Sequence, residues 1–69
     1  MMNNKTYSIF KLLYGGIIGV IENGKTNYQV GDIYNFQTND DSIIQGEVIK
    51  SVYYENYDDG KSIIRIRLF

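Results

Sequence analysis

Two carboxylate doublets, Asp40-Asp41 and Asp58-Asp59, are the first residues whose type and spacing suggest chemistry. Neighbouring carboxylates can share a proton in acid–base work or hold a hard cation. Both doublets lie in polar runs, Thr38-Asn39-Asp40-Asp41-Ser42 and Asn56-Tyr57-Asp58-Asp59-Gly60. In such runs Asp commonly bonds its own backbone to make a turn. Neither run has the alternating acidic ligands and closing glutamate of a calcium loop. The stretch Tyr14-Gly15-Gly16-Ile17-Ile18-Gly19 is glycine-rich but lacks the Lys-Ser/Thr of a phosphate loop and a helix to follow it. Histidine and cysteine are both absent. That removes histidine acid–base chemistry, Ser-His and Cys-His dyads, disulfides and thiolate metal sites. The sequence therefore predicts a protein that is not an enzyme, with no catalytic residue, metal or cofactor.

Basic and aromatic residues make a second constellation. Lys50, Tyr53, Tyr57, Lys61, Arg65 and Arg67 fall in the last twenty residues. Small barrels that bind nucleic acid stack bases on strand-borne aromatics and hold phosphates with Lys and Arg. Strand alternation predicts Ser51, Tyr53, Arg65 and Arg67 on one outward face. A purely structural use of the same residues is an Arg65–Tyr53 cross-strand stack with Glu47 or Glu55 as ion partner. Seven basic residues face eight acidic ones, a net charge of −1 without the basic excess that non-specific nucleic-acid binding requires. Nucleic acid is thus the second reading, through Lys50, Tyr53, Tyr57, Lys61, Arg65 and Arg67.

The elements that must position these residues are strands. Eleven Ile, four Val and three Thr, with ten aromatics, favour a pleated surface, and no window keeps a helical apolar period. Asn23-Gly24 predicts a hairpin that sets Ile21 opposite Thr26 and Gly19 opposite Tyr28. A second turn at Gly15-Gly16 sets Phe10 opposite Ile21 and Leu12 opposite Gly19. Phe10, Leu12, Tyr14, Ile17, Ile21, Tyr28 and Val30 then share one apolar face. Asp58-Asp59-Gly60 closes a third hairpin, with Ile64, Ile66 and Leu68 inward against Ile44, Val48, Val52 and Tyr54, and with Gly46 offering a bulge. The expected fold is all-β: a five- or six-stranded antiparallel barrel of SH3-like or OB-like size, or two packed sheets, with no substantial helix.

The stretch from Val30 to Ile49 has a Gly31-Asp32 corner, a short strand and the pattern Ile44-x-Gly46-x-Val48. In outline it resembles SH3-like small barrels. The resemblance covers under a third of the chain and implies a fold class without a function.

Sixty-nine residues make one domain, 1–69, with residues 1–5 expected to be disordered. No apolar run approaches a membrane span, and the first residues lack a signal-peptide core, so the expected location is cytoplasmic. Residue usage rich in Ile, Asn, Tyr and Lys suits an AT-rich gene of a low-GC bacterium, its phage or a mobile element. One surplus remains. Ile9, Leu13, Ile18 and Val20 point away from the first apolar face, more aliphatic surface than a small monomer normally shows. The primary expectation is a binding module acting through protein contacts, either a small regulator or inhibitor of a partner or a self-associating chain. Its interface is expected at Ile9, Leu13, Ile18 and Val20 and at the hairpin residues Tyr53, Tyr57, Arg65 and Arg67.

Overall fold

The computed structural model describes residues 5–69, which form five strands and no helix. They are β1 (Lys5–Leu12), β2 (Ile17–Glu22), β3 (Ile33–Gln37), β4 (Ile43–Glu55) and β5 (Asp59–Leu68). One sheet contains them all, in the order β2-β1-β5-β4-β3, curled into a half-barrel. The all-β expectation is met, but the sheet is mixed rather than antiparallel. β1 runs parallel to β5 over its whole length, from Lys5 opposite Asp59 to Leu12 opposite Ile66. Lys5, expected within a disordered lead, opens β1, while residues 1–4 lie outside the described residues.

The parallel pairing dictates the chain path. β2 ends at one edge of the sheet and β3 begins at the other, so residues 23–32 cross the hollow of the sheet. The predicted Asn23-Gly24 hairpin does not form. Asn23 takes the left-handed conformation (φ 61°), but the following residues leave the β2 edge instead of pairing with it. Polar contacts fasten this crossing. Ser8 and Ser62 sit opposite each other on β1 and β5, fully buried, and both hydroxyls donate to the Lys25 carbonyl at 3.2 Å. The Tyr28 hydroxyl donates to Ser8 Oγ at 2.6 Å, and Thr6 Oγ1 to the Gly24 carbonyl. Further on, Gly31 N–H donates to the Val48 carbonyl and Val48 N–H to the Asp32 carbonyl.

Tyr28 thereby reaches the Phe10 face as expected, though from the crossing segment rather than a strand. Phe10 is the hub of an aromatic cluster, with Tyr28, Tyr34 and Phe36 at ring distances of 5.4, 5.5 and 5.3 Å. The pairs with Tyr28 and Phe36 are edge-to-face, an arrangement that adds about 0.5–1.5 kcal/mol each beyond area burial. Val48, Ile64 and Ile66 complete the buried core. Tyr14, Ile17, Ile21, Val30 and Leu68, expected in that core, are exposed.

Two bulges decide which residues face inward. The first turn spans residues 13–16 rather than Gly15-Gly16 alone, and Phe10 lies opposite Gly19, two residues from the expected register. Next to that pair the register slips, leaving Ile18 as the extra residue. Ile18 therefore turns in against the core, and Ile17 turns out opposite Lys11. In β4 the slip falls between Val48 and Lys50. Beyond it Ser51 lies opposite Ile64 and Tyr53 opposite Ser62, so Tyr53 faces inward and Val52 and Tyr54 face outward. That reverses the sequence expectation for these three and for Ser51, expected outward. The extra residue is Ile49, not Gly46, whose missing side chain makes room for Ile66.

A Cβ on Gly46 would stand 2.2 Å from a methyl of the fully buried Ile66. Gly46→Ala should accordingly cost about 1–3 kcal/mol in denaturant unfolding, the usual range for overpacking. Wild-type stability in that variant would mean the β4–β5 contact yields freely. In the β3–β4 loop, hydrogen bonds from Thr38 and then Ser42 hold the Asp40 carboxyl below its ordinary value of 3.8. The loop's contribution to stability is complete above 3.8 and fades as pH falls through the lower folded value. An NMR titration should show the depressed value, and Thr38→Val should move it back upward.

Candidate functional surfaces

Two surfaces stand out, and each follows from the strand order. The first is the seam between the sheet's edge strands. β2 and β3 close the half-barrel's two sides without pairing to each other. A groove of about 230 Å³ lies along this seam, lined by Phe10, Ile18, Ile21, Tyr34 and Phe36 among others. Asn23 N–H donates to the Thr6 carbonyl, which sets the hydrogen-bonding phase of β2. Backbone groups alternate along an antiparallel strand, so those of Gly19 and Ile21 address β1 while those of Val20 and Glu22 face outward. On β3, Thr38 N–H donates to Ser42 and Asp32 accepts from Val48, which leaves Ile33, Asn35 and Gln37 facing outward. No hydrogen bond among the described residues uses these outward groups. The flanking residues are also unguarded. β2 carries no charge before Glu22, and β3 carries none. Natural edges usually bear lysine, proline or a cover.

The second surface is the outer face of the sheet, where the strand registers align residues in rows. Val20, Ile9, Ile63 and Val52 form an apolar row across β2, β1, β5 and β4. On one side of it lies the row Tyr7, Lys61, Tyr54. On the other side Lys11, Arg65 and Lys50 stand directly opposite one another on three adjacent strands. A depression of about 140 Å³ lies between these rows, lined by Lys50, Val52, Tyr54, Ile63 and Arg65. The protein's two ion pairs among the described residues are elsewhere on this face. Lys5 meets Glu22 at 3.2 Å, and Arg67 meets Glu47 at 3.1 Å. The Glu22 hydrogen bond, then its charge, raises the Lys5 ammonium above its usual value. Lys11, Lys50, Lys61 and Arg65 have no carboxylate partner among the described residues. Arg65 instead donates to the backbone carbonyls of Leu12 and Gly15, so it props the β1–β2 turn while keeping its charge.

The residues predicted from sequence are thus divided. Ile9, Val20 and Arg65 come together on the outer face, with Arg67 at its margin. Ile18 belongs to the seam and the core, and Leu13 is half-buried past the end of β1, bonded to the Ile66 carbonyl. Tyr53 faces inward, its hydroxyl over Gly60, and Tyr57 stands exposed in the β4–β5 turn. Sequence reasoning missed Lys11 and Tyr54 as members of the outer face. Lys11 becomes a neighbour of Arg65 only through the parallel pairing. Asp40-Asp41 lies in the β3–β4 loop and Asp58-Asp59 at the start of β5, and no acidic cluster of metal-binding size exists among the described residues.

Comparison of the chain with protein-family models, with curated proteins and with solved structures finds no match. Among the described residues no helix is long and apolar enough to cross a membrane.

Like charges directly opposite on neighbouring strands destabilise a sheet. Lys50→Glu, on the exposed end of the cationic row, should raise stability by about 0.2–1 kcal/mol at low ionic strength. The gain should shrink towards ~1 M salt, where the Debye length is about 3 Å. Equal melting temperatures of the two proteins at low salt would mean that the row carries no repulsion.

Proposed function

We propose that the protein is a binding module that takes up an extended segment of a partner protein at the β2–β3 seam. The observation that carries this reading is the pair of unpaired strand edges, uncharged but for Glu22 at the end of β2, that flank an apolar groove. A strand added to such an edge gains main-chain hydrogen bonds, and pockets beneath it select alternate side chains. Here Phe10, Ile18, Tyr34 and Phe36 supply the floor, so the fitting segment carries apolar residues at every second position. The protein then needs no catalytic group, and its small core gains burial from the partner it engages.

Val20 offers a clean test because its backbone faces away from β1. Proline is tolerated at an edge position whose N–H is unpaired, so Val20→Pro should keep the fold while removing one outward donor. Peptides selected against the wild type from a random library should show alternating apolar residues. Their affinity should fall at least tenfold in Val20→Pro and in the matching β3 variant Asn35→Pro, about 1.4 kcal/mol, the scale of one or two net hydrogen bonds. Selected peptides that bind both proline variants as tightly as wild type, with circular dichroism unchanged, would overturn the reading. A dimer in light scattering that dissociates in Val20→Pro would make the added strand a second copy of this chain.

A further inference from the structure

The outer face holds a feature that strand addition at the seam does not use. Lys11, Arg65 and Lys50 are set side by side on β1, β5 and β4, where strands lie about 4.8 Å apart. A sheet gains nothing from three adjacent like charges, and none of the three has a carboxylate to offset them among the described residues. The eight acidic residues are placed otherwise. Asp40 and Asp41 lie in the β3–β4 loop, Glu55, Asp58 and Asp59 around the β4–β5 turn, and Asp32 before β3. Glu22 and Glu47 are taken up by Lys5 and Arg67. A chain with a net charge of −1 thus presents one locally cationic face.

We infer that this face binds single-stranded nucleic acid. Four strand residues away from the cationic row, about 13 Å at ~3.3 Å per residue, Tyr7 and Tyr54 flank Lys61. Cations for phosphates on one side and aromatic rings for bases on the other make up a single-strand platform. The depression between them has Tyr54 on its wall, Ile63 and Val52 as apolar lining and Lys50 and Arg65 at its margin. Unpaired bases expose the flat faces that such a site stacks, whereas a duplex keeps them covered. Arg65 is already fixed by the Leu12 and Gly15 carbonyls, so the central cation is held in place before any ligand arrives.

Fluorescence anisotropy with labelled oligo-dT and oligo-U of about 20 nucleotides tests the inference, a length beyond the ~4–16 nucleotides one small barrel covers. Both probes should bind at low salt and weaken as salt rises. Lys11→Gln and Lys50→Gln should each reduce the slope of log affinity against log salt by about 0.7, the value for one phosphate contact on a single strand. Tyr54→Ala should lower affinity about tenfold without changing that slope. Lys25→Gln, on the crossing segment, should leave both unchanged. Absence of binding at low salt overturns the inference. So does equal binding of poly-glutamate that is indifferent to Tyr54→Ala, because the face would then be a surface for acidic polypeptides. Duplex DNA bound as tightly as the single strands would overturn it as well.

Discussion

The parallel pairing of β1 with β5 is the constraint on which the other features depend. Consecutive hairpins alone would leave the first and last strands at opposite margins of a meander. Joining them at the centre pushes β2 to one margin and β3 to the other, and obliges residues 23–32 to cross the hollow. A crossing through the interior carries backbone groups that need partners. The facing serines Ser8 and Ser62 meet that need at the Lys25 carbonyl, and Tyr28 closes the arrangement from above. No buried side-chain polar atom among the described residues lacks a partner. Two small hydroxyls on the central strands thus do for the crossing what a larger protein would do with a covering helix.

The same pairing explains what could and could not be read from the residues. β-branched and aromatic content announced a sheet, and Ile64 and Ile66 alternate inward with Arg65 and Arg67 outward as their spacing implied. Turn chemistry, however, reports only on neighbours in the chain. Nothing in Asn23-Gly24 distinguishes a hairpin tip from the start of a crossing, and no local signal joins β1 to a strand some fifty residues later. Bulges were equally silent. Ile18 and Ile49 are ordinary strand residues by composition, yet each inserts one residue and exchanges the two faces beyond it. That is why Tyr53 was misplaced while Val48, on the near side of the same bulge, was not.

Charge shows the same gap between inventory and arrangement. Counting residues gives near neutrality, and from that count the outer face is invisible. Fold topology sorts the charges, collecting strand-borne cations in the middle of the sheet and leaving the carboxylates in loops, at strand ends or, for Glu47, in an ion pair with Arg67. The seam and the outer face are also independent in their physics. One rests on unsatisfied backbone groups beside an apolar floor, the other on the field of fixed cations.

The central parallel pair also sets the order in which the molecule can assemble. Lys5 and Asp59 come together across most of the chain's length. Contacts of such wide sequence separation must offset a large loop-closure entropy, and proteins dominated by them fold in milliseconds to seconds rather than microseconds. On the ribosome, β1 and β2 emerge before the other strands, yet Phe10 has neither Ile64 nor Ile66 to rest against until β5 has been made. Until then the nascent chain displays β1 with a bare edge towards its missing neighbour, a species that chaperones bind and proteases cut. β5, made after the other four strands, is the one around which the rest is built, so the sheet cannot close until every strand is present.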